Sequence, residues 1–297
     1  MVDETERFEL LADETRLSIM RVLADERRVN WERQGMGFTQ LRRAVGATDG
    51  GRFNYHLDRL VGTFVEHRDE TYYLTDAGLE VVDAVLAGAY GQEGDQTSET
   101  VAMQCDCGRQ LTVVHEEMTF RLQCPDHGVL FGTTLPAAAS SDRAAETVAV
   151  VGITDMRQDM EWARMGVCFR CWGTMVGELA ATLPETHPAT GDPLPDSHET
   201  DGPVTVFGCD RCETVFWTPP SGALWGHPAV TAFSHDHGLT DPLDVPAHET
   251  TVTSTDPFSA TVTFTPPDDA TTLQVQLDET ASIVDVERSS SPPLGSE

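Results

Sequence analysis

The stretches GVCFRCWG (residues 166–173) and FGCDRCE (residues 207–213) each contain a Cys-x-x-Cys pair. The pairs are Cys168/Cys171 and Cys209/Cys212. A tight turn allows both sulfurs of one pair to reach a single ion, at about 2.3 Å for zinc. Two pairs from separate segments supply the four thiolates of a tetrahedral site, so the sequence predicts a structural zinc site closed by these four cysteines.

A second set of ligand-type residues lies upstream of the first. Cys105 and Cys107 form C-x-C, and Cys124 and His127 form C-x-x-H. C-x-C is an unusual spacing, which leaves open whether both cysteines ligate the same ion. All seven cysteines belong to these two sets. We therefore predict two structural zinc ions per chain, and a disulfide framework is the less favoured alternative.

The composition is that of a folded but very acidic protein. The 297 residues include 49 acidic and 19 basic ones, and every basic residue is Arg, giving a net charge of −30. The chain either binds basic partners or is adapted to molar salt. The even spread of acid along the chain favours salt adaptation. The polar N-terminus has no secretory signal and no apolar run approaches about 20 residues, so we expect a cytoplasmic protein that does not enter the membrane.

Residues 6–90 have mostly helical periodicity, with a β-hairpin predicted around residues 64–75 before a last helix. Residues 52–60, RFNYHLDRL, are typical of an amphipathic helix. One face is apolar and the other is polar and basic. The apolar face holds Phe53, Leu57 and Leu60, and the polar face holds Arg52, Tyr55, His56 and Arg59. The turn Asp49-Gly50-Gly51 is expected just before this helix, and Asp13 is expected to cap an earlier one.

A basic segment stands out within this acidic chain. Residues 27–68 contain eight Arg and four acidic residues. Phosphate is the obvious counterpart of such a segment, although exposed Arg also form ordinary surface ion pairs, and Asn54 and His56 also suit capping or packing. The candidate DNA-binding residues are Arg42, Arg43, Arg52, Asn54, Tyr55, His56, Arg59, His67 and Arg68, with His67 and Arg68 expected at the hairpin tip.

Three stretches carry a family resemblance: FELLADETRLSIM (8–20), FNYHLDRL (53–60) and YYLTDAG (72–78). With them, residues 5–90 resemble a halophilic member of the ArsR-type winged helix-turn-helix transcription regulators. The resemblance implies a homodimer that presents two recognition helices to successive major grooves of double-stranded DNA. It also implies that the segments around Phe8–Leu11 and Val81–Leu86 form the dimer. No Cys precedes residue 105, so metal sensing by this domain is not expected.

The part of the chain that follows residue 90 contains the Cys motifs, and short strands and a few helices are predicted there. A helix is expected over residues 155–165, a loop or mobile insert over the Pro-rich residues 183–203, a helix over 225–237 and strands over 250–286. The fold class is therefore α+β, with a winged helix-turn-helix domain followed by a β-rich domain holding two zinc-ribbon-like sites. The predicted divisions are domain 1–90, linker 91–99, zinc-binding effector or interaction domain 100–287, and disordered tail 288–297.

The motifs favour a DNA-binding regulator that is not an enzyme. No Walker A, G-x-S-x-G or H-E-x-x-H motif is present. The alternatives are a zinc-dependent enzyme that uses the winged domain as a scaffold, and a basal transcription accessory factor. A small molecule or a protein is a possible effector. A group of Met and Trp residues suits either core packing or a ligand pocket, and His235 and His237 are expected to end a helix. The group comprises Met156, Met160, Trp162, Met165 and Trp172.

Overall fold

The chain is α+β and divides into two compact units. The computed structural model describes residues 4–29, 35–90, 97–105, 107–194, 200, 202–240, 246–267 and 271–290. The front unit comprises residues 1–97, 115–119 and 136–143, and the back unit comprises 98–114, 120–135 and 144–297. Among the described residues, no helix is both long and apolar enough to cross a bilayer.

Five helices and a small sheet are described within the first 90 residues. The helices are α1 Glu4–Leu11, α2 Glu14–Val29, α3 Phe38–Val45, α4 Gly50–Leu60 and α5 Asp76–Leu86. The strands are β1 Met36–Gly37, β2 Val65–Arg68 and β3 Thr71–Leu74, in the antiparallel order β1-β3-β2. The hairpin predicted from the sequence is thus present, but its tip is Asp69-Glu70, both at positive φ. His67 and Arg68 belong to β2, so their predicted position at the tip is wrong.

Local hydrogen bonds fix the helix starts in this unit. Asp13 Oδ1 accepts the backbone N–H of Arg16 at 3.0 Å, as the sequence predicts. Asp49 is the N-cap of α4, and its Oδ1 accepts the N–H groups of Gly51 at 2.8 Å and Arg52 at 3.1 Å. These two bonds hold the pKa of Asp49 below its usual value. Gly50 and Gly51 therefore start the helix instead of forming the separate turn that we expected.

The core of the front unit orients α4. Met20 and Leu23 of α2 are fully buried in the same core as Phe53 and Leu57. Burying each such side chain contributes about 1.5–3 kcal/mol. This packing confirms the predicted apolar face of α4, and Arg52, Tyr55 and Arg59 on the opposite face are exposed.

Eleven further strands and two α-helices are described after residue 90. The strands are β4 Thr97–Gln104, β5 Gln110–Glu116, β6 Thr119–Cys124, β7 Gly128–Thr134, β8 Met175–Ala180, β9 Val204–Cys209, β10 Val215–Thr218, β11 Ala247–Thr255, β12 Phe258–Thr265, β13 Thr271–Leu277 and β14 Ile283–Ser290. The helices are α6 Ala145–Arg164 and α7 Pro228–Asp236, with 3₁₀ turns at Ala137–Ala139 and Gly222–Leu224. The sheets have the orders β4-β5-β6-β7, β10-β9-β8 and β11-β12-β13-β14.

The last four strands form a meander with one apolar face. Val262 and Phe264 of β12 and Val275 of β13 are fully buried, in a core that also includes Phe207 and Phe233. Alternation along β12 and β13 produces this face, as the sequence predicts.

Two predicted segment boundaries are wrong. Strand β14 continues through Ser290, so residues 288–290 of the predicted disordered tail belong to a strand, while 291–297 lie outside the described residues. Strand β4 begins at Thr97, so residues 97–99 do not belong to a linker, and residues 91–96 also lie outside the described part of the chain.

Helix α6 begins ten residues before the predicted start at 155. Its first half is rich in small and apolar residues, and Val148, Ala149 and Ile153 are fully buried. Gly152 packs against the ring of Phe120, because a Cβ at position 152 would lie 2.5–2.6 Å from ring carbons. Residues 148–153, VAVVGI, are a continuous apolar run, and periodicity alone does not distinguish such a run in a helix from a strand.

The Pro-rich insert contacts β9 through His187. Its described part, residues 183–194, 200, 202 and 203, contains no helix and no strand beyond one bridge between Thr186 and Pro193. The buried ring of His187 lies against Gly208, where a Cβ would be 2.6 Å from His187 Cε1. Every residue of β9 is buried. The loop prediction is confirmed for the described part, and this loop packs against the sheet at His187.

Candidate metal centres and basic surface

The four cysteines of the later set converge on one point. Each Cys-x-x-Cys pair lies on a tight turn, which we call a knuckle. The knuckle with Cys168 and Cys171 follows α6, and the knuckle with Cys209 and Cys212 connects β9 to β10. Sγ–Sγ distances are 3.7 Å for Cys168–Cys212 and 3.5 Å for Cys171–Cys209. Ligands at about 2.3 Å in a tetrahedron are separated by about 3.8 Å, so the four sulfurs suit zinc. The group could hold a metal ion, as the sequence predicts.

Backbone hydrogen bonds shape both knuckles. Cys168 N–H donates to Gly173 O at 2.9 Å, and Cys209 N–H donates to Thr214 O at 2.9 Å. The two knuckles are joined where Thr174 N–H donates to Asp210 Oδ1 at 3.1 Å. The ligand geometry is therefore built into the backbone of both segments.

The thiols of this group differ in acidity. Burial raises the pKa of Cys171 to about 12, so a nearby cation is needed to stabilise its thiolate at neutral pH. In contrast, the hydrogen bond between Cys212 Sγ and Thr214 Oγ1, at 3.2 Å, lowers the pKa of Cys212 to about 6. A bound zinc ion would supply the positive charge that lets all four thiolates form together.

The earlier set forms a second and more exposed group. Cys105 Sγ is 3.2 Å from His127 Nδ1, and Cys107 Sγ is 3.6 Å from Cys124 Sγ. All four ligand atoms lie within 4.8 Å of one another, so Cys105 and Cys107 are both close enough to bind one ion. Cys107 and His127 are exposed, whereas Cys124 is buried. This group could also hold a metal ion.

Hydrogen-bond donors favour the thiolate of Cys124 in this second group. Burial alone would raise the pKa of Cys124, but the N–H groups of Asp126 and His127, together with the neighbouring thiols, outweigh it and bring the pKa to about 7. Arg109 Nε pairs with Asp126 Oδ2 at 3.0 Å beside the site. Charged and backbone groups thus position the ligand-bearing turns.

The candidate DNA-binding residues lie on α3, α4 and β2. Seven of the nine are exposed, Arg42 is half-buried and His56 is buried; the exposed ones are Arg43, Arg52, Asn54, Tyr55, Arg59, His67 and Arg68. His56 Nδ1 lies 3.3 Å from Asp13 Oδ1. The packing alternative that the sequence left open for His56 therefore matches its position, because the helix turns this side chain toward the residue that caps α2.

Neighbouring side chains constrain several of these residues. Asn54 Nδ2 donates to Asp58 Oδ2 at 2.7 Å, one turn along α4. The His67 ring stacks on Tyr72 at 4.1 Å between centroids, and the guanidinium of Arg68 lies over Tyr73. The side chains of His67 and Arg68 in β2 are thus held against the aromatic rings of β3.

The Met and Trp group divides between interior and surface. Met156 and Met160 are buried. Trp162 and Met165 line a groove of about 390 Å³ along α6, and Trp172 is exposed beside Trp162. His237 is the C-cap of α7, so it ends a helix as expected, and its Nε2 forms a hydrogen bond with Thr271 Oγ1 at 3.0 Å.

One pair of carboxyl groups escaped the sequence prediction. Asp155 and Asp159 lie one turn apart on α6, half-buried, and Thr133 Oγ1 donates to Asp159 Oδ2 at 3.4 Å. Burial, followed by the charge of Asp155, raises the pKa of Asp159 to about 7. The i, i+4 spacing of Asp155 and Asp159 indicates that the two carboxyl groups are neighbours on a helix. Their burial depends on the position of β7, which the sequence does not indicate.

Comparison with known proteins matches each part of the chain to a family model. A model described as domain of unknown function DUF7347 matches residues 4–85, and one described as domain of unknown function DUF7351 matches residues 103–283. No curated protein and no solved structure matches the chain. The second match spans more than half of the 297 residues and includes both candidate metal centres. The chain therefore belongs to the DUF7351 family.

Proposed function

We propose that this protein is a cytoplasmic transcription regulator that binds double-stranded DNA as a homodimer. The front unit acts as a winged helix-turn-helix domain, with α4 as the recognition helix and β2–β3 as the wing. The back unit is an effector or protein-interaction domain stabilised by two structural zinc ions. The observation that carries the proposal is the two-sided character of α4.

Arg52, Tyr55 and Arg59 line the outward side of α4 at helical spacing, and all three are exposed. The inward side is apolar, with Phe53 and Leu57 buried. Arginine can donate two hydrogen bonds to guanine in the major groove. A basic exposed helix on a chain with a net charge of −30 supports contact with an anionic partner.

The charge of the hairpin limits its part in binding. Asp69 and Glu70 form its tip and would be repelled by phosphate. We therefore assign the main DNA contacts to α4 and to Arg43 at the end of α3. Asp49 already accepts the first N–H groups of α4, so side chains must supply the phosphate contacts.

Exposed apolar residues support a dimer through the front unit. Phe8 of α1 is 66% exposed and Leu86 of α5 is 51% exposed, and Tyr90 beyond α5 is 63% exposed. These are the two helices that the family resemblance assigns to dimerisation. Large apolar side chains at such positions favour a protein contact.

The ligand count favours structural metal ions over a catalytic one. Each group offers four protein ligand atoms, which fill a tetrahedral zinc site. A catalytic zinc ion keeps a position open for water or substrate. This supports a regulator over the alternative of a zinc-dependent enzyme.

DNA binding by the full chain tests the proposal. We would measure fluorescence anisotropy with promoter DNA from the protein's own locus in molar KCl. Arg52→Ala and Arg59→Ala should each weaken binding by about 5- to 150-fold, which corresponds to about 1–3 kcal/mol. Arg21→Ala, on the exposed side of α2, is the matched control and should change affinity less than about twofold.

Equal losses in all three variants would show that α4 does not read the DNA. Footprinting distinguishes a regulator from the remaining alternative, a basal transcription factor, because a regulator of one operator should protect a palindrome. A basal transcription factor should instead bind polymerase or promoter complexes without one.

A further inference from the structure

The two candidate metal centres are supported by the surrounding chain to different extents. The Cys168 group comprises Cys168, Cys171, Cys209 and Cys212, and the Cys105 group comprises Cys105, Cys107, Cys124 and His127. Cys168 and Cys209 are fully buried members of the core of the back unit, and Cys171 packs against it. Among the described residues, no member of the Cys105 group belongs to that core or to the core of the front unit. Opening the Cys105 group therefore disrupts less packing than opening the Cys168 group.

The Cys105 group is also accessible from solvent. Cys107 and His127 are exposed, whereas Cys124 is 2% exposed. Arg109 is exposed as well, and its positive charge interacts with the sulfurs of Cys107 and Cys124. Reactive cysteines typically lie in such partly exposed, electropositive surroundings. A small oxidant can reach Cys107 without any opening of a hydrophobic core.

Cys107 and Cys124 are placed to form a disulfide with each other. Their sulfurs are 3.6 Å apart, and a disulfide bond requires about 2.05 Å. Cys107 lies in a short turn, in which Gly108 N–H donates to Cys105 O at 2.7 Å. This turn has room to move, because a Cβ at Gly108 would have no heavy atom within 4 Å. Cys105 Sγ lies instead beside His127 Nδ1, at 3.2 Å.

We infer that Cys107 and Cys124 form a peroxide-responsive modification site, whose oxidation releases the zinc ion of the Cys105 group. A bound zinc ion keeps its cysteine ligands as thiolates, which are the nucleophilic form. The Cys107 thiolate attacks one oxygen of hydrogen peroxide, and the O–O bond breaks. The hydroxide that leaves takes a proton from solvent and becomes water, and Cys107 becomes a sulfenic acid.

A second displacement completes the disulfide. The Cys124 thiolate attacks the Cys107 sulfur, and the S–O bond breaks as the S–S bond forms. The hydroxide that leaves takes a second proton from solvent and becomes water. Two thiolates have then lost two electrons to one molecule of hydrogen peroxide. Only Cys105 and His127 remain as ligands, and two ligands do not fill a tetrahedral zinc site.

The inference rests on the two zinc ions of the proposed function and distinguishes between them. The ion of the Cys168 group is structural, because its ligands are part of the core of the back unit. The ion of the Cys105 group is structural only while the thiols are reduced. The back unit therefore carries a response to oxidants at one metal centre and keeps its core at the other.

Zinc release from the full chain tests the inference. Reduced, zinc-loaded protein in molar KCl is mixed with equimolar hydrogen peroxide, and a chromogenic chelator measures free zinc. One of the two bound ions should be released, at least about tenfold faster than in the control without peroxide. Peptide mass spectrometry after alkylation should find Cys107 joined to Cys124 and the cysteines of the Cys168 group reduced. Dithiothreitol should restore both thiols.

A variant identifies the thiol that peroxide attacks. Cys107→Ser removes this thiol, and peroxide should accelerate zinc release from the variant by less than about twofold. Gln104→Ser changes an exposed residue beside Cys105 that is not a ligand, so this matched control should release zinc as the wild type does. If Cys107→Ser does not retain zinc in this group, the disulfide found in the wild type decides the question.

Several results would overturn the inference. Two bound ions, neither of them released by peroxide, would refute it and retain both metal sites of the proposed function. Equal oxidation of the Cys168 group would show that its core does not protect it. A disulfide between Cys105 and Cys107, or between two chains, would assign the reaction to a different pair. A wild-type chain that binds a single ion, held by the Cys168 group, would instead contradict the second metal site of the proposed function and the inference with it.

Discussion

Replacing Asp159 with asparagine should change how the stability of the protein depends on pH. Asp159 is a half-buried carboxyl on α6. Burial raises its pKa most, and the charge of Asp155 adds to the effect. The hydrogen bond from Thr133 and the charge of Arg170 act in the opposite direction, and the result is a pKa of about 7.

The direction of the pH effect follows from proton binding. The pKa of an unperturbed Asp is 3.8, so between 3.8 and about 7 the folded chain holds a proton that the unfolded chain has lost. Stability therefore falls as pH rises through this window and levels off above about 7. The side-chain amide in Asp159→Asn carries no ionisable proton and removes this contribution.

The size of the effect can be worked from the same values. Between about pH 6 and 8.5, a group with a folded pKa of about 7 changes the unfolding free energy by at most about 1.4 kcal/mol. Solvent screening of a half-buried carboxyl reduces this to about 1 kcal/mol. The stability of Asp159→Asn relative to wild type should rise by that amount over this range.

The difference in unfolding free energy between Asp159→Asn and wild type would be measured by urea unfolding, followed by tryptophan fluorescence. The measurements would be made at about pH 6, 7 and 8.5, in constant molar KCl with zinc. Remaining at or above about pH 6 limits proton competition at the cysteine ligands. Asp192→Asn replaces an exposed carboxyl and should leave the pH profile parallel to wild type. A parallel profile for Asp159→Asn would refute the burial argument.

Three further predictions concern packing, metal and salt. Gly152→Ala should lower the unfolding free energy by about 1–3 kcal/mol, measured by urea unfolding, because its methyl would meet the Phe120 ring. Elemental analysis should find two zinc ions per chain, and a single ion in the wild type would contradict one of the two sites. The Cys209→Ser variant should bind one zinc ion fewer, and circular dichroism should show that its back unit is unfolded. The melting temperature should rise from about 0.2 M to 1 M KCl, since molar salt screens carboxylate repulsion within about 3 Å; a maximum at the lower concentration would contradict salt adaptation.

The metal-ligand groups could be predicted because their signals are local. Cys168 and Cys171, like Cys209 and Cys212, are close in sequence, and one turn brings each pair together. The apolar face of α4 was predictable for a similar reason, since helical spacing alone aligns Phe53 with Leu57.

Features set by tertiary packing could not be predicted. The periodicity of α4 cannot indicate that the start of α2 brings Asp13 within 3.3 Å of His56. Nor does an apolar run distinguish the buried start of α6 from a strand or loop. The raised pKa of Asp159 depends on its burial beside Thr133 of β7, 26 residues away in sequence.

The loop that contacts β9 through His187 links the surface of the back unit to a metal centre. His187 lies against Gly208, and Cys209 is the next residue of the same strand. If lifting the loop disturbs that strand, it also lowers metal affinity, and by reciprocity a bound metal ion holds the loop down. A cut or a binding event within residues 183–194 would then accelerate zinc release, although none of these residues is a ligand.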